Sequence, residues 1–217
     1  MNPIKTAVVT GGHSYDVPNF HRLFRALPGL DVYIQHMDDF ASSSVEVRDS
    51  YDVVVFYTML MEGPRDEGLV WHQGKPKSVL EHLGETSQGI VMLHHALLAY
   101  PQWQPWADLV GIPERTFGYY MAQTVTSQIV DSSHPIMQGI NAWEMVDETY
   151  TTASTGSDSH VLITYDHPQS MRTIAWTRSH KQSRVFCYQA GHDNITWENP
   201  QFQALLNNGI HWAGGRI

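Results

Sequence analysis

The stretch that decides the fold is RVFCYQAGHDNITWENPQFQALLNNGIHWA, residues 184–213. Its apolar run over 185–190 predicts a buried strand, and Gly191 marks the end of that strand. The Asn-Pro pair at 199–200 predicts the start of a helix that ends near Trp212. A strand, a glycine-marked loop and a helix in this order are typical of an α/β sheet.

Two polar residues, His192 and Asp193, occupy the loop between this strand and this helix. Ligands of open α/β sheets bind in the crevice beyond the carboxyl ends of the strands. The pair is therefore a candidate functional site. The alternative is an ordinary polar turn between two elements of the core.

The first hundred residues alternate between apolar runs and segments of helical periodicity. The run YDVVVFY is continuous in apolar residues, as in parallel strands that are buried on both faces. This alternation predicts a parallel α/β sheet with right-handed crossovers. The predicted strands are 4–10, 31–36, 51–57 and 89–94, and the predicted helices are 19–27 and 75–87.

The pattern changes between about residues 115 and 178, where the runs VTSQIV, DETYTT, HVLITY and RTIAWT are separated by polar turns. Short β-type runs of this kind predict an antiparallel extension or inserted sheet at one edge. The final strand and helix return to the α/β pattern. We therefore expect one α/β domain over 1–217 with a β-rich insertion.

Composition limits the classes of partner. The 217 residues carry a formal net charge of −9, which disfavours nucleic acid and anionic membranes because both require a basic face. No apolar run has the length of a membrane span, and the N-terminus does not read as a signal peptide. The single cysteine, Cys187, lies inside a predicted strand. We expect a cytoplasmic protein with a small, weakly charged ligand, and the sequence is compatible with a homo-oligomer.

Histidine is as frequent as lysine and arginine together, with 13 residues. His13 follows Gly12 at the end of the first predicted strand, with Tyr15 close behind. Paired glycines allow a backbone to approach a ligand closely. The segment lacks the third glycine of a dinucleotide fingerprint and the Gly-Lys-Ser/Thr of a phosphate loop, so no nucleotide cofactor is expected. The alternative is a sharp turn with a solvated histidine.

Two adjacent histidines, His94 and His95, close the predicted strand GIVMLH. Successive strand residues point to opposite faces, so we expect one ring to line a cleft while the other packs. The sequence does not decide which of the two faces the cleft. A structural histidine is the alternative for either.

The segment Asp147-Glu148-x-Tyr150 comes from the β-rich region. Neighbouring carboxylates can have their pKa values separated, which gives one acid and one base. The alternative is a solvated pair on a surface strand. Trp197 lies close to His192 in sequence and offers a flat apolar face for a sugar ring, although most tryptophans belong to the core.

These motifs together resemble the ThuA-like, or trehalose-utilisation, family. The resemblance runs through nearly the whole chain and rests on GGHSYD, YDVVVFY, GIVMLHHA, HPIMQGI, DETY, AWTR and GHDNITWENPQF…GIHWA. It implies a fold like that of class I glutamine amidotransferases, a flavodoxin-like parallel sheet between layers of helices. It also implies a role in the catabolism of disaccharides.

The resemblance does not extend to glutamine hydrolysis. An amidotransferase needs a cysteine on the turn after its central strand and a partner histidine after the last strand. Here that turn carries His94 and His95, and His192 has no thiol to activate. Cys187 lies in the wrong element. We therefore do not expect amidotransferase activity.

The resemblance implies that histidines from separate strand ends converge with Glu148. Such a cluster forms either an acid/base site or a Zn or Mn site, and the resemblance suggests a keto-glycoside substrate that undergoes isomerisation, elimination or hydrolysis. The alternative is a sugar-binding or regulatory module without catalysis. The predicted catalytic residues are His13, Glu148, His192 and Asp193; the predicted metal ligands are His13, His94 and His192; and the predicted substrate contacts are Gly12, Tyr15, His95, Tyr150 and Trp197.

Overall fold

The computed structural model describes residues 2–217. Nine strands, seven α-helices and three short 3₁₀ turns make up this part of the chain. The strands are β1 Ile4–Gly11, β2 Leu30–His36, β3 Val53–Thr58, β4 Gly89–Leu93, β5 Gly118–Ile129, β6 Glu144–Thr151, β7 His160–Tyr165, β8 Thr173–His180 and β9 Ser183–Tyr188. The helices are α1 Val17–Ala26, α2 Met37–Ser42, α3 Val45–Asp49, α4 Pro76–Glu81, α5 Gln104–Val110, α6 Asn194–Trp197 and α7 Pro200–Ala213, and the 3₁₀ turns are Trp71–Gln73, His94–Leu98 and Pro135–Met137.

All nine strands belong to one mixed sheet with the order β2-β1-β3-β4-β9-β8-β7-β5-β6. The first five strands in this order are parallel to their neighbours. β3 and β4 are buried along their whole length, because helices cover both faces of a parallel sheet. β2 lies on one side of β1 in the sheet and β3 lies on the other. Right-handed crossovers in these two directions place the connecting helices on opposite faces of the sheet.

The other half of the sheet is antiparallel and contains the region predicted to be rich in β-structure. β8 pairs with β9, β7 with β8, and β5 with both β7 and β6. The ladder between β5 and β6 is interrupted between Tyr120 and Gln123, and Ala122 has a φ of 53° there. Such a bulge bends a long strand. β5 pairs with β6 over 118–126, on both sides of the bulge, and with β7 over 127–129.

Two predicted elements are shorter than expected. The predicted helix at 75–87 ends at Glu81, because Gly84 adopts a left-handed φ of 83° and turns the chain. The predicted strand at 89–94 ends at Leu93, because His94 has a φ of 55° and begins a 3₁₀ turn. The short helix α6 was not expected from the sequence at all.

The final strand and helix, β9 and α7, agree with the prediction from residues 184–213. α7 packs closely on β9, since a Cβ at Gly209 would lie 2.1 Å from the Phe186 ring. The predicted start of this helix is confirmed, with Asn199 as N-cap and Pro200 as the first helical residue. No helix within residues 2–217 is long and apolar enough to cross a membrane.

Candidate functional site

The candidate site lies at the edge of the sheet where the parallel strands end. β1 is followed by His13, β4 by His94 and His95, and β9 by His192. Parallel strands all end at the same edge, so these four imidazoles approach one another although they are distant in sequence. The centroids of the His13 and His192 rings are 6.2 Å apart, and those of His94 and His192 are 5.4 Å apart.

Three residues form the centre of the site, which we call the triad: His94, Glu148 and His192. Glu148 Oε2 lies 3.2 Å from His94 Nε2 and 3.0 Å from His192 Nδ1. The two imidazole nitrogens are 3.4 Å apart. Within residues 2–217 this is the one group of three or more His, Cys, Asp or Glu side chains that could share a metal ion.

The Gln189 carbonyl and the Tyr150 hydroxyl contact the triad from its buried side. His94 Nδ1 donates a hydrogen bond to the Gln189 carbonyl at 2.8 Å, so Nε2 is the ring nitrogen that faces Glu148. The Tyr150 hydroxyl lies 2.8 Å from Glu148 Oε2 and 2.7 Å from His94 Nε2, and its single proton can serve only one of them. The His192 imidazole, whose Nδ1 lies 3.0 Å from Glu148 Oε2, is a second donor to this carboxylate.

The pKa values follow from these contacts. Burial alone would raise the pKa of the Glu148 carboxyl, but hydrogen bonds from His192 and His94 outweigh burial and hold this pKa well below its usual range. The hydrogen bond to Glu148 raises the pKa of His192, although burial acts against it. Burial raises the pKa of Tyr150 far above its ordinary value, so its hydroxyl stays protonated and acts as a donor.

A second set of contacts fixes the orientation of the triad. The carbonyl of Gln189 holds His94 Nδ1, and the side-chain amide of the same residue donates to the Glu148 backbone carbonyl at 3.0 Å. Metal-binding histidines usually donate their second N–H to a backbone carbonyl or carboxylate in this way. Gln189 therefore links β9, β4 and β6 at the site.

Asp147 anchors the loop that carries His192. Its carboxylate accepts hydrogen bonds from the Gly191 amide at 2.9 Å, the His192 amide at 3.0 Å and the Thr196 hydroxyl at 2.8 Å. Burial raises its pKa although these bonds and His94 favour the charged form. The neighbouring carboxyls of Asp147 and Glu148 thus have pKa values shifted in opposite directions, Asp147 upward and Glu148 downward.

His95 lies beside the triad in an apolar setting. Its ring is 4.2 Å from the Tyr57 ring and 4.8 Å from the His13 ring, centroid to centroid. It is buried, and neither ring nitrogen makes a hydrogen bond of good geometry to the described residues. Burial, with the nearby His94 and His13, lowers its pKa well below the ordinary value. His95 is therefore a neutral imidazole.

The left-handed turn at His94 explains why both histidines reach the site. A continued strand would point His94 and His95 to opposite faces. Because the strand ends at Leu93, the His94 ring turns toward Glu148 while the His95 ring contacts Tyr57 and His13. His94 is thus the member of the pair that contacts Glu148, while His95 packs beside it.

The triad has the dimensions of a metal-ligand set. Ligand atoms at about 2.0–2.2 Å from an ion are separated by about 3.0 Å in octahedral and about 3.4 Å in tetrahedral geometry. The three observed separations run from 3.0 to 3.4 Å. Two imidazoles and a carboxylate are donors that suit Zn, Mn and Fe. The residues present therefore fit a divalent metal.

The predicted metal set of His13, His94 and His192 differs from the triad in one member. His13 is exposed on the loop after β1 and contacts the His95 ring instead, while β6 brings Glu148 into the third position. The physical reason is the sheet: β6 crosses to the end of β9, where Asp147 binds the Gly191 amide. His13 lies on the solvent-exposed side of the site.

Other predicted residues lie around the triad rather than in it. The Asp193 carboxylate caps α6 by accepting from the Ile195 amide at 2.9 Å. Trp197 is 3% exposed, and its indole N–H donates to the Gly191 carbonyl at 2.8 Å. Both therefore help to shape the His192 loop. Asp193 was predicted to be catalytic and Trp197 to contact substrate; both line the hollow beside His192.

A hollow of about 350 Å³ opens beside His192, and we call it the triad hollow. It is bounded by the loop after β1 and by the start of α6. Tyr15 lies in its wall and packs against Phe20 and Tyr57. The residues that line it are His13, Ser14, Tyr15, Asp16, His192, Asp193, Asn194 and Trp197.

Sequence reasoning did not assign the positioning roles of Asp147, Tyr57 and Gln189. The Tyr57 hydroxyl donates to the carbonyls of Gly191 and His192 at 3.1 and 3.2 Å. Tyr57 and Gln189 each stand at the carboxyl end of a predicted strand, which is the signal that could have identified them. Their partners lie far away in the chain, so the contacts themselves had no local signal.

Comparison with known proteins supports the resemblance found in the sequence. The model of the ThuA family, described as trehalose utilisation, matches residues 9–213. A ThuA-like protein from Parabacteroides merdae superposes with a TM-score of 0.76 at 18% identity, over 100% of this chain and 92% of the other. A ThuA-like protein from Bacteroides uniformis gives a TM-score of 0.71 at 18% identity, over 98% and 92%.

A more distant similarity extends to a GMP synthase protein from Thermoplasma acidophilum. Its TM-score is 0.57 at 13% identity, over 99% of this chain and 96% of the other. At this identity the likeness concerns the fold alone. The search of curated proteins found no match.

Proposed function

Because this chain belongs to the ThuA family, whose description is trehalose utilisation, we propose that it is an enzyme of sugar metabolism. Its substrate in this proposal is a keto-glycoside or a related sugar derivative. The triad of His94, Glu148 and His192 holds a divalent metal, Zn or Mn. The reaction is an isomerisation, elimination or hydrolysis that begins with proton transfer.

One observation carries the proposal: three potential ligand atoms, on two imidazoles and one carboxylate, lie 3.0–3.4 Å apart in a largely buried cluster. A cation at their centre would satisfy His94 Nε2 and Glu148 Oε2 together. The hydrogen bond from His94 Nδ1 to the Gln189 carbonyl leaves Nε2 free for that purpose. The cluster opens to the triad hollow at His192.

A bound divalent ion supplies Lewis acidity, which polarises a carbonyl or hydroxyl oxygen of the substrate. The other tasks belong to the chain itself. His13 is exposed at the entrance of the triad hollow, where an imidazole can accept the proton of a C–H group that a neighbouring ketone has acidified. The Tyr150 hydroxyl keeps its proton and donates a hydrogen bond to Glu148, which fixes the orientation of the carboxylate.

The buried side of the site excludes water from these groups. His95 and Tyr57 form an apolar wall behind His13, and the fully protonated Tyr57 holds the His192 loop through two carbonyls. Burial raises the pKa of Tyr57 far above its ordinary value, so it remains a donor. In this arrangement His95 is a neutral, buried ring that packs behind His13.

Two broader assignments belong to the proposal. The order β2-β1-β3-β4-β9 of the parallel strands supports a flavodoxin-like assignment, in which the sheet reverses beside β1 and binds ligand at that switch point. A cytoplasmic location is supported by the single, buried and unpaired Cys187, which needs no oxidising compartment. Thiol catalysis is not part of the proposal, because burial raises the pKa of Cys187.

The experiment uses protein purified without a histidine tag. Its metal content is measured by mass spectrometry, and it is incubated with Zn or Mn and a panel of 3-keto-glycosides while products are followed by NMR. We expect about one equivalent of metal and turnover of at least one glycoside. His192→Ala should lose turnover and keep its circular dichroism spectrum.

The control variant is His72→Ala, because His72 is an exposed imidazole on a 3₁₀ turn outside the triad. It should keep both metal and activity. Sugar binding without metal or turnover would favour a binding module. Unchanged turnover in His192→Ala would remove the central role of the triad.

A further inference from the structure

A second hollow adjoins the triad hollow beyond the ends of β1 and β2, and we call it the β1–β2 hollow. Its volume is about 560 Å³, and that of the triad hollow is about 350 Å³. Both volumes lie in the range of small-molecule binding sites. The two share the wall formed by His13, Ser14 and Tyr15. A ligand that reaches the triad past His13 therefore has room on both sides of that residue.

The wall between the hollows is held rigidly. A Cβ at Gly12 would lie 2.5 Å from the Met59 carbonyl oxygen, so this loop is pressed against the loop after β3. On the other side, the Thr10 hydroxyl donates to the Gln35 carbonyl at 3.2 Å and ties β1 to β2. Both hollows thus exist without a rearrangement of the loop.

The lining of the β1–β2 hollow is polar and lacks lysine and arginine among the described residues. Besides the shared wall it consists of Thr10, Gly11, Gly12, Val17, His21, Ile34, Gln35, His36 and Asp39. Phosphate or carboxylate groups bind where basic side chains or several amides converge. The hollow contains a carboxylate instead, so it suits a neutral ligand.

His36 and Asp39 give this hollow a donor and an acceptor. His36 Nδ1 accepts a hydrogen bond from the Asp38 amide at 3.2 Å, so Nε2 is the N–H donor of this ring. That nitrogen lies beside Gly11, where a Cβ would be 2.9 Å from it. The Asp39 carboxylate is exposed and accepts only. A hydroxyl both donates and accepts, so a donor beside an acceptor suits neighbouring hydroxyls.

We propose that the β1–β2 hollow binds a second, neutral polyhydroxylated unit of the substrate, with His36 and Asp39 as its specificity-determining residues. The inference rests on the proposed function of the triad hollow, which takes the first unit. The bond that joins the units lies next to His13. The substrate is then a glycoside whose second half is itself sugar-like rather than a phosphate, an acid or a small alkyl group.

The test compares ligands with and without the second unit in variants that keep the backbone. Asp39→Asn preserves shape, and His36→Asn preserves a side chain able to cap α2. Binding of trehalose and of methyl glucoside is measured by calorimetry on the full chain. Rates are measured with 3-keto-trehalose and with methyl 3-keto-glucoside. Asp31→Asn is the control, because Asp31 is an exposed carboxylate on β2 that does not line the hollow.

We expect both variants to weaken trehalose binding, and kcat/KM for the two-unit substrate, about tenfold. Values for the methyl compounds should stay within about twofold, as should all values for Asp31→Asn. The proposed role of the hollow is supported if trehalose binds more tightly than methyl glucoside and if His36→Asn and Asp39→Asn remove this preference. If this result is found without turnover, only the proposed function fails. Variants that leave both trehalose binding and kcat/KM unchanged overturn the inference, as does an absence of sugar binding.

Discussion

Replacement of Glu148 by glutamine tests the triad most directly. The Oε2 atom of Glu148 lies 3.0 Å from His192 Nδ1, 3.2 Å from His94 Nε2 and 2.8 Å from the Tyr150 hydroxyl. Glu148→Gln keeps the shape of the side chain, removes its negative charge and replaces one oxygen by an NH₂ donor. The two imidazoles remain as the only strong ligands.

The magnitude follows from the geometry. Substitution of an outer residue around a metal costs about 10–100-fold in affinity, so loss of a charged ligand should cost about 100-fold or more. A metal at 100 times its Kd stabilises the native protein by about 2.7 kcal/mol. In a chain of this length that corresponds to a rise in Tm of about 5–11 °C. A 100-fold weaker variant retains about 0.4 kcal/mol, or about 1–2 °C.

Thermal unfolding of untagged, metal-free protein with added Zn or Mn measures both shifts. Glu144→Gln is the matched control, since Glu144 lies on the same strand and is exposed. It should retain the full shift. Equal shifts in the native protein and in Glu148→Gln, or no shift of the native protein with either metal, would refute the reasoning.

Two further predictions concern the frame of the site, and a third concerns a carboxylate away from it. Asp147→Asn replaces the carboxylate that accepts three hydrogen bonds by an amide with only one acceptor oxygen. Chemical denaturation should therefore show a loss of about 2–4 kcal/mol in unfolding free energy. An unchanged midpoint would contradict the anchoring role of Asp147. Gly12→Ala places a Cβ against the Met59 backbone at a φ of 76° and should lower the unfolding free energy by about 3 kcal/mol. Gly139→Ala has a similar φ of 75° but open space around it, and should lower the unfolding free energy by about 1 kcal/mol. Similar losses in the two variants would show that the clash at Gly12 is relieved. Hydrogen bonds from the Ser133 hydroxyl and amide, with His160, lower the pKa of Asp131 from 3.8 to about 2. The stability from this depressed pKa is present above pH 3.8 and is lost as pH falls toward 2, so the acid-induced fall in Tm should be less steep in Asp131→Asn.

The sequence located the elements of the fold well because the central parallel strands β3 and β4 are buried along their length and consist almost entirely of apolar residues. Continuous runs such as 53–58 and 185–190 have to be buried on both faces, which only a covered parallel sheet provides. The resemblance to the ThuA family is confirmed by the family match. The ends of elements were less predictable, since the left-handed residues at His94 and Gly84 depend on contacts made elsewhere.

The candidate site was predictable in part. His94, Glu148 and His192 were all candidates, because histidines at strand ends meet at one edge of a parallel sheet. The choice of Glu148 over His13 as the third member of the triad was not predictable. It depends on how far β6 reaches across the sheet, and no local pattern in the sequence encodes that distance.

The amino-acid sequence by itself therefore determined the α/β alternation, the strand ends that carry chemistry and the absence of a nucleophilic thiol there. These are local properties, set by the periodicity of apolar residues and by the identity of the residues that follow each run. The tertiary structure alone decided that Asp147 holds the His192 loop while Glu148 enters the triad. Neighbouring residues on β6 acquire opposite pKa shifts and separate tasks because the partners around each carboxylate come from strands that are distant in the chain.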